Sequence, residues 1–215
     1  MDEALDYAFP HSADDEARRL ELFQQRLDPL TIRRIERLGI GHGATCLEIG
    51  GGRGSITRWL SDRVGPQGSV IATDLQVDFL NALEGSNVEV LRHDVRTDTF
   101  PENSFDLVHT RAVLMHIPDD PDILRRMASW LRPGGWLLLE EPDFGMWLAD
   151  AEVDIIEAGT PLAEFYRLSM AAIGPPAVEA GALTAEQAEA LVERTTQPDF
   201  LACGFVHIGV WGRRR

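Results

Sequence analysis

A run of glycines after a short apolar segment is the clearest sign of chemistry in this chain. Cys46–Ile49 is apolar except for Glu48, and the glycines that follow are Gly50, Gly51, Gly52 and Gly54. Glycine tolerates positive φ and lets a ligand approach the backbone closely. A helix is predicted to begin at Ser55. A strand, a glycine-rich turn and a helix in this order form the nucleotide-binding unit of α/β sheets.

Two acidic residues follow the next two apolar segments. Ser69–Thr73 predicts a second strand, and Asp74 comes directly after it. An acid at this place can accept hydrogen bonds from both hydroxyls of a ribose. Asn87–Leu91 predicts a third strand, and Asp94 follows shortly after its end. A bound nucleotide would therefore meet an acid at the end of each strand.

The glycine spacing differs from that of dinucleotide-binding folds. The pattern G-x-G-x-x-G requires a third small residue at position 55, where this chain has Ser55, and Gly54 lies one position too early. Glu48 precedes Gly50 by two positions. The resulting Glu48-x-Gly50-x-Gly52-x-Gly54 resembles motif I of the Rossmann-like methyltransferases that depend on S-adenosylmethionine (SAM).

Later segments extend this resemblance over about residues 45–143. Phe105–His109 predicts a fourth strand, and Leu131–Glu140 contains an Arg-Pro-Gly-Gly turn into a fifth, which looks like the hairpin of that family. The resemblance implies an α/β fold with a three-layer, doubly wound, mostly parallel sheet of the seven-stranded type and N-terminal helices. It also implies that SAM is the cofactor and S-adenosylhomocysteine the product.

The family pattern assigns cofactor roles to residues at the ends of these strands. The glycine loop approaches the methionine portion of SAM, Asp74 holds the ribose, and Asp94 meets the adenine amino group. Arg111 has two interpretations: it binds the methionine carboxylate, or it pairs with a structural acid. The cofactor-binding residues that the resemblance implies are Glu48, Gly50, Gly51, Gly52, Gly54, Asp74, Leu75, Asp94, Val95 and Arg111.

Methyl transfer depends on orientation more than on a catalytic group. SAM carries its methyl group on a positive sulfur, so holding donor and acceptor in line supplies much of the rate. A base is needed only for a protonated hydroxyl or amine. His116 is the candidate base because it follows the fourth strand and histidine titrates near neutrality. The alternative is a histidine at a helix start that the backbone satisfies. His109, Thr110, Glu141 and Asp143 are expected at the same end of the sheet.

The composition narrows the partners. The formal net charge of −15, in a chain of 215 residues that contains no lysine, argues against nucleic acid and excludes a lysine-dependent phosphate loop. No apolar segment is long enough for a membrane span, and the start lacks the features of a signal peptide. We therefore expect a cytoplasmic protein with no membrane partner. Cys46 and Cys203 are expected to be reduced core thiols, and the histidine spacing predicts no metal site.

Helices are predicted before the sheet and after it. Two helices, 14–27 and 30–38, are expected to be separated by Asp28-Pro29. Thr160-Pro161 predicts a helix that runs to Ala172, and Thr184 predicts one that ends near Arg194. Residues 151–158 could form strand six, and 205–211 predicts an antiparallel edge strand. We expect a helical cap over residues 1–40 and a SAM-binding methyltransferase domain over 41–215, which together form a single structural domain. Tyr7 is a candidate for packing near the cofactor, and the alternative is a plain surface aromatic.

The region between strands five and six is shorter than the family pattern requires. Residues 144–204 must hold cap, crossover helix and strand six, although a parallel crossover alone needs a dozen or more residues. This leaves the cofactor site intact and puts the substrate pocket in question. The sequence also allows a homodimer, because a second subunit could complete a shortened cap.

The sequence leaves three functions open. The first is SAM-dependent methyl transfer to oxygen, nitrogen or carbon of a small metabolite. The second is a SAM-binding protein without turnover, acting as a partner or regulatory subunit. The third is an NAD-dependent oxidoreductase, against which the position of Gly54 and the second acid, Asp94, both count.

Overall fold

Five α-helices and seven β-strands lie in the part of the chain that the computed structural model describes, which is residues 13–117, 120, 122–143, 153–198 and 200–214. The helices are α1 (Ala13–Arg37), α2 (Ser55–Val64), α3 (Ile123–Trp130), α4 (Pro161–Glu179) and α5 (Ala185–Arg194). The strands are β1 (Thr45–Ile49), β2 (Ser69–Asp74), β3 (Val88–Arg92), β4 (Phe105–Arg111), β5 (Leu131–Asp143), β6 (Val153–Glu157) and β7 (Leu201–Arg213). Tyr7 and the side chain of Cys203 lie outside the described residues.

The strands form one sheet in the order β3-β2-β1-β4-β5-β7-β6. β1 pairs in parallel with β2 on one side and with β4 on the other, and β3 and β5 extend this parallel group outwards. β7 runs antiparallel to β5. This confirms the predicted mostly parallel sheet of the seven-stranded type. The carboxyl ends of its parallel strands share one edge, where open α/β sheets bind their ligands.

Alternate residues of the central strands face opposite sides of the sheet and form two apolar cores. On one side, Cys46 and Leu107 pack with α2 residues such as Leu60. On the other side, Leu47 and Val108 pack in a cluster that contains α3 residues, namely Ile123, Met127 and Trp130. Helices therefore cover both faces, as a doubly wound fold requires.

The predicted break at Asp28-Pro29 is wrong, because α1 continues through Pro29 to Arg37. Proline within a helix removes one backbone hydrogen bond and costs about 3 kcal/mol. Its fixed φ is nevertheless compatible with a helix, and Leu27, Leu30 and Ile35 on the same helix are buried. Burial of a leucine or isoleucine contributes about 1.5–3 kcal/mol, so burial of these three residues outweighs the local cost.

The predicted turn into β5 is present as an irregularity of the strand. The register between β4 and β5 shifts between Phe105 and Leu107, where residues 132–135 bulge out of the ladder. Farther along the chain, the Thr160 side chain caps α4 and the Thr184 capping box starts α5, as predicted. α4 runs past the expected end at Ala172 to Glu179. β6 lies within the strand expected over 151–158, and β7 includes the one expected over 205–211.

The chain divides into two compact units. One contains α1 as far as Leu27 together with Val153–Gly204, and the other contains Asp28–Glu152 and Phe205–Arg215. This division falls within α1 and within β7 and differs from the boundary at residue 40, which stays a prediction. All the residues considered as a site below belong to the second unit.

The described residues contain neither a membrane-spanning helix nor a metal-binding cluster. None of their helices is long and apolar enough to cross a membrane. No group of three or more histidine, cysteine, aspartate or glutamate side chains among them is arranged to hold a metal ion. Cys46 is a free, buried thiol, and burial raises its pKa to about 12, with further contributions from Asp106 and Glu48.

Candidate functional site

The glycine loop adopts backbone conformations that glycine favours. Gly50, Gly52 and Gly54 have φ values of 72°, 55° and 75°. The backbone N–H groups of Gly50 and Gly51 both donate to the carbonyl of Thr73, at 2.8 and 2.9 Å. The loop is therefore tied to the end of β2 before α2 begins.

The space around each glycine shows whether a side chain could be tolerated there. A Cβ on Gly50 would lie 2.2 Å from Cγ2 of Val113, and one on Gly54 would lie 2.1 Å from Cδ1 of Leu83. A Cβ on Gly52 would meet nothing within 4 Å. Gly50 and Gly54 are therefore required by packing, whereas Gly52 faces space that a ligand could use.

Asp74 links the end of β2 to the open part of this loop. Its Oδ2 accepts a hydrogen bond from the Gly52 N–H at 3.0 Å, and its Oδ1 accepts one from the Gln76 N–H at 3.1 Å. Burial raises the pKa of this carboxyl, against the lowering effect of the backbone N–H groups. The next side chain, Leu75, is 47% exposed. An acid, an open backbone position and an exposed apolar side chain therefore meet at one place.

Asp94 is paired with a neighbour on its own loop. Its carboxylate accepts two hydrogen bonds from Arg96 Nε, at 2.8 and 3.1 Å, and this pairing lowers the pKa of Asp94. The following residue, Val95, is buried, and its carbonyl accepts from Arg126 Nη2 at 2.9 Å. Contact of Asp94 with an adenine amino group stays a prediction, and Arg96 would share that carboxylate.

Arg111 pairs with a structural acid, which is one of its two interpretations. Its Nη2 donates to Oδ1 of Asp28 at 2.9 Å, and its Nη1 donates to Oγ1 of Thr31 at 2.9 Å. Both partners lie on α1, and the Arg111 side chain is 8% exposed. A contact of Arg111 with the cofactor carboxylate stays a prediction.

Glu48 lies within a buried polar chain that crosses the sheet. Its carboxylate accepts a hydrogen bond from the Thr57 hydroxyl, and its Oε1 is 3.8 Å from Nδ1 of His109. The other ring nitrogen of His109 is 2.9 Å from Oε2 of Glu140, which also pairs with Arg34. Burial raises the pKa of Glu48, against the lowering effects of His109 and Thr57. Burial is the largest single effect on Glu140 and would raise its pKa, but the hydrogen bond and charge of His109, together with Thr31 and Arg111, outweigh burial and lower that pKa.

His116 lies on a short 3-10 helix, Leu114–His116, beyond the end of β4. Its side chain is exposed. The start of this segment is held by Glu141, whose carboxylate accepts from the N–H groups of Val113, Leu114 and Met115 at 3.0–3.2 Å. Because the Val113 side chain lies against Gly50, the His116 segment adjoins the glycine loop. The role of His116 as a base stays a prediction.

The structure adds residues that sequence reasoning missed and moves others. Asp28, interpreted only as a helix breaker, accepts hydrogen bonds from Arg111 and from the Ser55 hydroxyl. Its acid-proline pair gave no signal of such a role, because its partners are distant in sequence. His109 and Thr110, expected at the open end of the sheet, are fully buried.

Residues 22–167 of the chain match a family model described as a methyltransferase domain. The chain belongs to this methyltransferase family. Among curated relatives, the ubiquinone/menaquinone biosynthesis C-methyltransferase UbiE of Hahella chejuensis is 36% identical over 115 residues, which is 50% of this chain and 46% of that protein. The chain thus aligns with about half the length of this relative.

Solved structures share the fold at low sequence identity. A SAM-dependent methyltransferase from Aquifex aeolicus matches with a TM-score of 0.50 and 21% identity, covering 66% of this chain and 93% of the other. The [4+2]-cyclase SpnF matches with a TM-score of 0.55 and 16% identity, covering 89% of this chain and 82% of the other. These matches confirm the Rossmann-like fold, and SAM is the cofactor of the methyltransferase family.

The residues present fit SAM. Gly52 leaves open space beside the backbone, and Asp74 can accept hydrogen bonds from the two hydroxyls of a ribose. Leu75 offers an exposed apolar surface on which an adenine ring can pack. When bound, SAM supplies a methyl group on a positive sulfur, ready for displacement. The chain has to bind, orient and enclose the reactants.

Proposed function

We propose that this protein transfers a methyl group from SAM to oxygen, nitrogen or carbon of a small metabolite. The observation that carries the proposal is the pairing of Gly52 with Asp74. The loop backbone is open at Gly52, and the acid that would receive the ribose is bonded to the same residue at 3.0 Å. Membership of the methyltransferase family supports the same activity.

The proposed roles follow the geometry of the strand ends. Gly52 lets the methionine portion approach the backbone, Asp74 holds the ribose hydroxyls, and Leu75 packs against the adenine. Asp94 and Val95 close the adenine side. During transfer the new bond forms to the acceptor as the methyl–sulfur bond breaks, and the bonding electrons stay on sulfur, which becomes a neutral thioether.

His116 is the proposed base for an acceptor that carries a proton on its reacting atom. Its exposed side chain, on a segment next to the glycine loop, can release a proton to water after each turnover. A carbon acceptor activated as an anion would not need this proton transfer. UbiE is named as a C-methyltransferase, but the alignment includes only about half of each chain.

A SAM-binding protein without methyl transfer is the second candidate. SpnF, which is named as a [4+2]-cyclase, shares the fold over 89% of this chain. Fold alone therefore does not establish turnover. Such a protein would act as a partner or regulatory subunit. Formation of a homodimer is also a proposal.

The first test is calorimetric titration with S-adenosylhomocysteine and, separately, with NAD. We expect the first ligand to bind and NAD to give no heat; the reverse result would contradict the cofactor assignment. Asp74→Asn should raise the Kd for S-adenosylhomocysteine about tenfold or more, because charged hydrogen bonds contribute about 1.5–3 kcal/mol each. Asp62→Asn, an exposed carboxylate on α2, is the matched control and should leave the Kd unchanged.

A second experiment separates the two candidates. Purified protein is incubated with SAM that carries a labelled methyl group and with pools of small metabolites grouped by acceptor atom. Label on an acceptor, with stoichiometric S-adenosylhomocysteine, supports the methyltransferase. Binding of the cofactor without label in any pool favours the protein without turnover.

A further inference from the structure

α2 begins without a side-chain cap. Its N-cap is Gly54, in the left-handed region at φ 75°, and no side chain caps the first turn. No acidic residue lies in that turn. Helix N-termini leave backbone N–H groups without partners and are stabilised by nearby negative charge. Something outside α2 must therefore fix the position of its first turn.

Asp28 supplies a contact of this kind. Its Oδ1 accepts a hydrogen bond from the hydroxyl of Ser55, the first residue of α2, at 3.0 Å. The same oxygen accepts one from Arg111 Nη2 at 2.9 Å. One carboxylate from α1 thus joins the helix start to the end of β4.

The contacts of Asp28 continue into the buried polar chain described above. Arg111 also binds Thr31, whose side chain is hydrogen-bonded to Glu140, and Glu140 binds both Arg34 and His109. Nδ1 of His109 lies 3.8 Å from Oε1 of Glu48, which is too far for a hydrogen bond, and Glu48 accepts a hydrogen bond from the Thr57 hydroxyl. Ser55 and Thr57 both lie in the first turn of α2. This turn is therefore held at two points, by Glu48 through Thr57 and by Asp28 through Ser55. The Asp28 contact is the one nearer the glycine loop.

We propose that Asp28 is a positioning residue of the cofactor site, acting through Ser55 and Arg111 on the glycine loop. Ser55 follows Gly54 directly, and the Gly54 N–H is bonded to the Gly51 carbonyl at 2.8 Å. A shift of Ser55 therefore moves the turn that contains Gly52. The inference rests on the proposed function, because its measurable effect is on cofactor affinity.

The experiment measures the Kd for S-adenosylhomocysteine and the melting temperature of each variant. Asp28→Asn should raise the Kd about tenfold, because the ion pair with Arg111 is lost and the acceptor for Ser55 is weakened. Ser55→Ala removes only the hydroxyl and should raise the Kd about fivefold. The matched control is Ser61→Ala on the same helix, whose hydroxyl is bonded to Asn87 at 2.8 Å. It should lower the melting temperature and leave the Kd unchanged.

A double-mutant cycle distinguishes positioning from general stability. If Asp28 acts through Ser55, the effects of Asp28→Asn and Ser55→Ala on the Kd are not additive, whereas those of Asp28→Asn and Ser61→Ala are additive. A lower melting temperature with an unchanged Kd in Asp28→Asn would show that Asp28 is only structural. If Asp28→Asn does not fold, an unchanged Kd in Ser55→Ala overturns the proposal. Failure of the natural chain to bind S-adenosylhomocysteine would instead overturn the proposed function, and the positioning role with it.

Discussion

At the scale of single residues, Gly52 differs from the other glycines of its loop. It has a positive φ like Gly50 and Gly54, but only its added Cβ would meet no atom within 4 Å. Gly52→Ala should therefore cost only the backbone strain of the left-handed region, about 1–2 kcal/mol of the free energy of unfolding. It should also raise the Kd for S-adenosylhomocysteine at least tenfold, because the methyl group occupies the space proposed for the ligand. Thermal unfolding and calorimetric titration measure the two effects.

Gly43 provides the control for this substitution. Its φ is 79° and an added Cβ would likewise meet nothing within 4 Å, but it lies in the loop before β1. Gly43→Ala should cost similar stability and leave ligand affinity unchanged. Equal affinities for the Gly43 and Gly52 variants would place the ligand elsewhere.

At the scale of elements, Pro29 shows where tertiary structure overrides a local signal. Proline is about 3 kcal/mol less favourable than alanine within a helix, and Pro29 lies inside α1. Pro29→Ala restores a backbone donor and should raise the free energy of unfolding by about 1–3 kcal/mol. Chemical denaturation with a two-state analysis gives this value.

Pro161→Ala in α4 is the control substitution for Pro29→Ala in α1. Pro161 is the first residue of α4, where the missing N–H has no partner within the helix in any case. Its replacement should change stability by less than about 0.5 kcal/mol. A loss of stability in Pro29→Ala would mean that the packing of α1 requires the geometry that proline imposes.

Elements with a local signal could be predicted, and contacts between distant residues could not. The glycine spacing predicted the loop after β1, and the Thr184 capping box predicted α5 with its correct start. Asp74, the last residue of β2, lies beside the loop because parallel strands end at one edge, and its contact with the ribose stays a prediction. Asp28 carries no such signal, since its partners Ser55 and Arg111 become neighbours only after the sheet has formed.

At the scale of the whole molecule, His93 makes stability depend on pH. Its ring is 8% exposed and stacks on Phe100 with centroids 4.6 Å apart, and neither ring nitrogen has a hydrogen-bond partner in the described part of the chain. Burial lowers its pKa below the usual 6.5, although Asp98 and Asp94 act in the opposite direction. The unfolded chain therefore binds a proton at a higher pH than the folded one. The contribution of His93 to the free energy of unfolding is therefore fully present above pH 6.5, and it is lost as the pH falls through the pKa of the folded state.

His93→Leu should reduce the loss of unfolding free energy between about pH 7 and about pH 5. Denaturant titrations at several pH values measure this free energy of unfolding. His42→Leu removes an exposed histidine and should keep the pH dependence of the natural chain. The same slope in the His93 and natural proteins would assign the pH dependence to other groups.

The polar chain beneath α2 has a consequence for the order of events during synthesis. It joins α1 to β5, and 106 positions separate Arg34 from Glu140. Chains emerge from the ribosome N-terminus first. The glycine turn is thus made early and Arg111 of β4 follows it, but the contacts of Glu140 exist only after β5 has emerged. A ribosome-bound fragment that ends before β5 already carries every glycine of the loop together with Asp28, Ser55 and Arg111. It still lacks Glu140, the carboxylate that joins Arg34 to His109, so the polar chain is completed late in translation.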